Sequence, residues 1–220
     1  MALDSETFDL MKDAVSRFVR EKLVPAEDKV EETNDVPEEI IQEMRELGLF
    51  GLSIPEEYGG LGLSMEQECE VIHELCKASL AFRSVIGTTV GIGSQGLVMT
   101  GTEEQKRQYL PRLASGEIMS SFCLTEPEAG SDAASLRTVA VRDGDDYVLN
   151  GTKRYITNAL RAGMLTVMAR TDSSKKGASG ISAFLVDPAT SGITIAKADE
   201  KMGQRGTKTS DVIFEDARIP

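Results

Sequence analysis

One short stretch, FCLTEPEAGSDAAS at residues 122–135, concentrates residue types that can do chemistry. It begins with apolar residues, as a strand would. Three carboxylates, three hydroxyl residues, a proline and a glycine then follow within eleven positions. Carboxylates can act as bases or as acceptors for backbone N–H groups, and exposed backbone N–H groups can bind an anion. The stretch is therefore either an ordinary exit from a strand or the floor of a binding site.

A second stretch, YVLNGTKRYIT at residues 147–157, is rich in strand-forming residues. The Asn150-Gly151 pair at its centre predicts a β-hairpin, because both turn residues tolerate positive φ. Side chains alternate along a strand, so Tyr155 and Thr157 should share one face, while Arg154 and Ile156 take the other. An aromatic ring beside a hydroxyl suits a planar, hydrogen-bonding ligand. The alternative is a core aromatic beside an ordinary strand threonine.

A third pattern, Cys69-x3-His73-x2-Cys76, resembles a set of metal ligands. On a helix the two thiols would lie about 10 Å apart along the axis. Two thiolates of one zinc site must each lie about 2.3 Å from the ion, which a straight helix does not permit. We therefore predict no metal site here, and we favour buried thiols.

The segment Gly91–Gly96 matches the GxGxxG pattern of dinucleotide-binding loops. Such a loop requires a long helix that begins within it. Here Gly101 and the start of a new helix at Thr102 come only about five residues after Gly96, which leaves no room for that long helix. We favour instead a helix with a small face, formed by Gly87, Gly91 and Ser94, that lets a backbone or a ligand approach closely.

The elements that would position these residues change in character near residue 118. Before that point apolar residues recur at helical spacing: one helix should end before Pro25, and another should start at Pro37 and stop at Gly48. Ser64 with Gln67, and Thr102 with Gln105, are capping boxes that start two more. After that point turn signals come about every ten residues, as in an antiparallel β-sandwich or barrel. We predict an α+β protein with a helical domain at 1–117 and a β domain at 118–220.

Composition narrows the class of protein further. The 220 residues are 40% hydrophobic and 27% charged, and the net charge of −12 argues against non-specific nucleic-acid binding. No apolar run approaches the length of a membrane span, and the acidic start lacks the order of a signal peptide. We expect a cytoplasmic protein, or the mature form of a mitochondrial matrix protein, with its three cysteines reduced.

Several motifs together resemble one family. CLTEPEAGSDAAS at 123–135 is similar at every position to the signature of the acyl-CoA dehydrogenases. Four other segments agree in order: IPEEYGGLGLS at 54–64, GTEEQKRQYLPRLASGE at 101–117, NGTKRYITNA at 150–159 and KMGQRGTKTSDVIFEDARIP at 201–220. The resemblance covers nearly the whole chain. It implies a helical domain and a middle β domain, followed in the family by a C-terminal helical domain that these 220 residues do not contain.

The resemblance also implies an FAD site on the β domain. Thr125 would contact the N1/O2 edge of the flavin, Tyr155 would cover one face where many relatives have Trp, and Thr157 would meet N5 and O4. Ser131 would meet the FAD pyrophosphate and the pantetheine arm of the substrate. The implied cofactor contacts are Phe122, Cys123, Leu124, Thr125, Gly130, Ser131, Tyr155, Ile156 and Thr157. The implied substrate contacts are Ser131, Ser84, Gly87, Thr88 and Gly91.

The activity implied by the resemblance is α,β-dehydrogenation of an acyl-CoA thioester, with hydride transfer to flavin N5. The family's base is a Glu of the C-terminal domain, so the chain as given is expected to be an inactive fragment. Glu126 and Asp132 are interpreted as organisers of the loop, and Glu128 as solvated. The family implies fatty acid β-oxidation, an electron-transferring flavoprotein as electron acceptor, and a homotetramer. The alternatives are an oxidase or monooxygenase of the same superfamily, and a non-catalytic binding module.

Overall fold

The computed structural model describes residues 3–220. They form two units: one extends to Met119 and includes Lys201–Thr207, and the other comprises Ser120–Glu200 and Lys208–Pro220. The fold class is confirmed, because the first unit is helical and the second is built on a β-sheet. No helix among the described residues is both long and apolar enough to cross a membrane. The helices are α1 Ser5–Phe18, α2 Val24–Thr33, α3 Glu38–Glu46, α4 Met65–Leu75, α5 Leu80–Thr88, α6 Ser94–Thr100 and α7 Glu103–Ala114.

The predicted helix starts are confirmed where the signal is local. The N–H group of Gln67 donates to Ser64 Oγ at 3.2 Å, and Gln67 Oε1 accepts from the Ser64 N–H at 3.1 Å. Thr102 and Gln105 form the same pair of bonds at the start of α7. Each box supplies acceptors for N–H groups that a helix start leaves unpaired.

The prediction that the first helix ends before Pro25 is wrong. A π-helical turn at Val19–Leu23 joins α1 to α2, and the N–H of Val24 donates to Val19 O. The wider turn accommodates proline, because Pro25 lacks the N–H that a regular α-helix would use and its ring needs space against the preceding turn.

The helical interpretation of Gly91–Gly96 is confirmed. A second π-helical segment, Thr89–Gly93, lies between α5 and α6 and is kinked at Gly91. Ser53 Oγ donates to the Val90 carbonyl at 2.6 Å and accepts from Gln95 Nε2 at 3.0 Å. A side chain thereby satisfies a carbonyl where the regular ladder of helical hydrogen bonds is interrupted.

The second unit is a single curled sheet that forms a half-barrel. Its strand order is β1-β4-β2-β3-β7-β6, and β5 pairs with β4. The pairs β2/β3, β3/β7, β4/β5 and β6/β7 are antiparallel, whereas β2 meets β4 in parallel at one position. The bounds are β1 Met119–Cys123, β2 Val139–Asp143, β3 Asp146–Thr157, β4 Ala162–Arg170, β5 Ile181–Val186, β6 Ile193–Ile195 and β7 Thr209–Ile219.

The predicted hairpin at Asn150-Gly151 is absent, because β3 runs straight through both residues. Gly151 instead lies at an irregularity in the β3/β7 register, and a Cβ atom there would lie 2.5 Å from Thr138 Oγ1. The Asn150 side chain bonds to Asp216 of β7 rather than to its own turn. The β2/β3 hairpin turns at Gly144, where φ is +67°.

The interpretation of Cys69 and Cys76 as buried thiols is also wrong, since both are exposed. Val71 and Leu75 face the core of the helical unit, so Cys69 falls on the outer side of α4 beside His73. Cys123 of β1 is the buried cysteine, with no exposed surface.

Candidate functional site

The two sequence stretches with the richest chemistry lie side by side at one end of the sheet. Ser121 Oγ of β1 donates to the Thr157 carbonyl at 2.8 Å, and the Arg154 N–H of β3 donates to the Thr125 carbonyl at 2.8 Å. Cys123 and Ile156 point into the buried core of the sheet, while Thr125 is half-buried. The structure therefore brings the predicted cofactor residues of both stretches together.

A β-bulge in β3 sets the direction of Tyr155. Lys153 pairs with Val212 and Ile156 pairs with Ser210, so β3 has one more residue than β7 over this interval. Tyr155 takes φ +59°, a left-handed conformation that is uncommon for a bulky residue. Its side chain is 62% exposed, which rules out the alternative of a core aromatic.

The bulge corrects the predicted alternation at Arg154. This residue does not share the buried side of Ile156, because Arg154 and Tyr155 both lie outside the core, between buried Lys153 and buried Ile156. Arg154 Nη2 lies 3.0 Å from Asp211 Oδ2, and its guanidinium carbon lies 5.7 Å from the centre of the Tyr155 ring. The ion pair and the cation–π contact orient the exposed ring.

A buried ion pair anchors the loop that follows β1. Lys153 Nζ donates to Glu126 Oε1 at 2.7 Å, and neither side chain is more than 5% exposed. Glu126 also accepts from the Arg137 N–H at 2.6 Å and the Thr138 N–H at 2.9 Å. Burial opposes ionisation of this carboxyl, but Lys153 and these N–H donors outweigh burial and hold the pKa of Glu126 below its usual value.

The interpretation of the loop acids is confirmed by these contacts. Glu126 joins the two ends of the loop, as an organising group should. Asp132 accepts a hydrogen bond from Ser135 Oγ and precedes a single 3-10 turn at Ala133–Ser135. Glu128 is exposed and forms a surface ion pair with Arg137.

An apolar cleft lies beside this loop within the β unit. Its volume is about 430 Å³. Both Gly130 and Ser131 are exposed, and Ser131 lies at the rim of the cleft. The lining residues are Leu124, Ser131, Asp132, Ala133, Ala134, Met168, Ala178 and Ile181. A cleft of this kind can accept a long, largely apolar group next to a hydroxyl.

The other predicted substrate residues belong to the helical unit. Ser84, Gly87 and Thr88 lie on α5, and Gly91 lies in the π-helical segment. All four are half-buried, and the spacing of three and four residues places Ser84, Gly87 and Thr88 on one face of α5, whereas Gly91 lies at the kink that follows. A Cβ atom at Gly91 would meet no atom within 4 Å, so the space beside it is open. Their role as substrate contacts stays a prediction.

The β-unit residues fit the isoalloxazine ring of a flavin. This ring needs hydrogen-bond donors along its polar edge and a surface against one face. Among residues 3–220, the Thr125 N–H group has no hydrogen-bond acceptor. Tyr155 supplies an exposed ring two residues before the half-buried Thr157. The donor set and the exposed ring together suit a planar ligand.

Lys153 is the residue that reasoning from the sequence missed. Strict alternation would have placed Lys153 on the same face as Tyr155, but the bulge between Lys153 and Ile156 leaves Lys153 buried and turns Tyr155 outward. The sequence contained one signal for Lys153. Glu126 lies just after an apolar strand, where an acid can be buried, and a buried acid requires a partner of opposite charge or a hydrogen-bond donor.

Comparisons with known proteins agree with the fold and show the family. A family model described as "Acyl-CoA dehydrogenase, N-terminal domain" matches residues 5–117, and "Acyl-CoA dehydrogenase, middle domain" matches residues 121–217. The "Acyl-CoA dehydrogenase" of Bacillus subtilis (strain 168) is 38% identical over 211 residues, which are 96% of this chain and 55% of that protein. The chain thus spans about half the length of the curated relatives that it matches.

Two solved structures are similar over nearly the whole chain. Butyryl-CoA dehydrogenase from Megasphaera elsdenii has a TM-score of 0.92 and 32% identity, and the match covers 100% of this chain and 58% of that one. An acyl-CoA dehydrogenase from Bacillus anthracis, complexed with FAD, has a TM-score of 0.87 and 34% identity, with coverage of 99% and 37%.

Proposed function

Because the chain belongs to the acyl-CoA dehydrogenase family, we propose that its β unit holds FAD for the α,β-dehydrogenation of an acyl-CoA thioester. The observation that carries the proposal is the pairing of two segments. Thr125 and Arg154 are joined by a backbone hydrogen bond of 2.8 Å, which fixes the free Thr125 N–H near Tyr155 and Thr157.

When bound, FAD supplies the redox chemistry by accepting a hydride from the β-carbon of the substrate. The residues of the chain bind and orient it. The Thr125 N–H would donate to the N1/O2 edge of the ring, and the Thr157 hydroxyl and N–H would serve the N5/O4 edge. Tyr155 would cover one face and keep water from it, with its ring held in place by Arg154. Donors fixed before the reaction stabilise developing charge without reorganising during it.

Removal of the α-proton requires a carboxylate within reach of that carbon. The loop acids are engaged otherwise: Glu126 is buried, and its carboxylate accepts three hydrogen bonds, from Lys153 Nζ and from the N–H groups of Arg137 and Thr138. Asp132 bonds to Ser135. The loop acids are therefore poor candidates for the proton acceptor, and the family resemblance implies a Glu of a C-terminal helical domain in that role.

In the β unit, Ser131 at the rim of the apolar cleft would contact the pantetheine arm of the substrate. In the helical unit, the small half-buried residues of α5 are proposed as acyl-chain contacts, as the family resemblance implies. The open space at Gly91 favours a long or bulky acyl group over a short one. Turnover limited to four-carbon substrates by the complete enzyme would overturn this assignment.

As the family resemblance implies, we propose an electron-transferring flavoprotein as the electron acceptor and a homotetramer that acts in fatty acid β-oxidation. One observation favours a second candidate, an oxidase of the same superfamily. Tyr155 has a smaller ring than the Trp of many relatives, so it would leave more of the flavin edge open to oxygen. Rates of flavin reoxidation in air and by an electron-transferring flavoprotein separate the two candidates.

FAD titration of the purified chain tests the proposal. The flavin fluorescence should be quenched on binding, and Thr157→Val should weaken binding by about tenfold, since a hydrogen bond of about 1.4 kcal/mol is lost. Thr194→Val on β6 is a matched control and should bind as the unchanged chain does. Equal Kd values for FAD in all three proteins would contradict the proposed role of Thr157.

A further inference from the structure

A positive charge lies buried against the peptide that joins Leu124 and Thr125. The Lys153 side chain has no exposed surface, and its Nζ donates to Glu126 Oε1 at 2.7 Å and to the Leu124 carbonyl at 3.2 Å. Leu124 immediately precedes Thr125. The ammonium group therefore contacts the peptide unit whose other end is the Thr125 N–H.

The same pair fixes the position of that peptide. Glu126 accepts from the N–H groups of Arg137 and Thr138, so the carboxylate joins the start of the loop to its end. On the other side, the Arg154 N–H donates to the Thr125 carbonyl at 2.8 Å. Each of the three consecutive residues Leu124, Thr125 and Glu126 is thus hydrogen-bonded to a neighbouring segment. The peptide between Leu124 and Thr125 therefore cannot rotate freely.

Polarisation adds to this geometry. Hydrogen bonds in a chain strengthen one another, because a donor on a carbonyl draws electrons from the attached N–H. A charged donor has a larger effect than a neutral one. The Lys153 ammonium on the Leu124 carbonyl makes the Thr125 N–H a stronger donor, and this N–H has no acceptor among residues 3–220.

Folding stability alone does not account for the pair. A buried ion pair is often no more stabilising than apolar residues of similar volume, because both charges lose their hydration. Burial lowers the pKa of Lys153, and the Glu126 carboxylate offsets part of that effect. The bond to Leu124 gives the buried charge a role beyond packing.

We propose that Lys153, held by Glu126, is a positioning residue that orients the Leu124–Thr125 peptide and strengthens its N–H as a donor to the bound flavin. The proposal rests on the proposed function for its ligand. The arrangement of the peptide, however, is a property of the chain without ligand, and it can be measured separately.

The experiment compares four forms of the 220-residue chain: unchanged, Lys153→Met, Lys153→Met with Glu126→Gln, and Lys29→Met. Lys29 is the control, because it forms an exposed ion pair with Glu39 at 3.0 Å. Each form is measured for its urea unfolding midpoint, the NMR shift of the Thr125 amide proton without ligand, and its Kd for oxidised and reduced FAD.

Lys153→Met should lower the unfolding midpoint, because it leaves Glu126 buried without its partner. The double variant should recover stability relative to that single variant. Both should move the Thr125 amide proton upfield and weaken FAD binding by up to about tenfold, the cost of losing one ordinary hydrogen bond, because Lys153 acts on the ligand only through the Thr125 N–H. The loss of affinity should be at least tenfold greater for reduced FAD than for oxidised FAD. Such a difference would lower the reduction potential of the bound flavin by about 30 mV, because FAD is a two-electron couple. Lys29→Met should change none of these.

The double variant could return to the values of the unchanged chain in amide shift and FAD affinity as well as in stability. That result would overturn the proposal, because the pair would then have a structural role only. An unchanged Thr125 amide in both Lys153 variants would overturn it as well. If the unchanged chain binds no FAD, the proposed function fails for this chain, while the amide shift still decides whether Lys153 polarises the peptide.

Discussion

Replacing Tyr155 should separate the strain of its backbone from its contribution to ligand binding. A non-glycine residue at φ +59° costs about 1–2 kcal/mol relative to glycine. Glycine in place of alanine costs about 0.5–1 kcal/mol in the entropy of the unfolded chain. Because the ring is 62% exposed, both substitutions lose little burial. Tyr155→Gly should therefore be more stable than Tyr155→Ala by roughly 0.5–1 kcal/mol.

The assay is urea unfolding of both variants, with the same pair of substitutions at Val141 as a control. Val141 is an exposed strand residue of β2 without positive φ, so alanine should be the more stable variant there. Both Tyr155 variants should bind FAD more weakly than the unchanged chain, and Tyr155→Trp should retain binding. If alanine is as stable as glycine at Tyr155, the conformation assigned to the bulge is refuted.

The remaining predictions concern thiol accessibility and backbone space. In the native chain, iodoacetamide should label the exposed Cys69 and Cys76. Cys123 should react only after unfolding, since burial raises its pKa to about 12. Detection of three labelled thiols in the native chain by mass spectrometry would contradict this. Gly151→Ala should destabilise the chain by about 2–4 kcal/mol, from positive φ and a steric clash together. Gly144 also has positive φ, but the space beside it is open. Gly144→Ala should therefore lower the free energy of unfolding in urea by only about 1 kcal/mol, and equal losses for the two variants would refute the clash at Gly151.

Signals that act over a few residues predicted the structure well. The capping boxes at Ser64 and Thr102 need only their own neighbours, and both formed as expected. The Asn150-Gly151 signal is just as local, yet the hairpin did not form there. Asn150 bonds across to Asp216, and the missing Cβ of Gly151 makes room for Thr138. Tertiary contacts overrode the turn propensity, and no local pattern reports them.

The site was predicted in part for the same reason. The family resemblance indicated Thr125 in one segment and Tyr155 and Thr157 in another as cofactor contacts, and the structure brings the two segments together. The direction of each side chain in β3 depends on one extra residue relative to β7, and alternation cannot reveal a bulge. Lys153 was therefore overlooked, although it is the buried partner that Glu126 requires.

The most direct test of the account is an NMR map of the amide groups that shift when FAD is added to the 220-residue chain. We expect shifts at Thr125, Tyr155 and Thr157, which are the proposed contacts of the flavin ring, and at Ser131, which is the proposed contact of the pyrophosphate. Shifts centred on Gly91–Gly96 instead, or no shifts at saturating FAD, would contradict the assignment of the flavin site to the β unit.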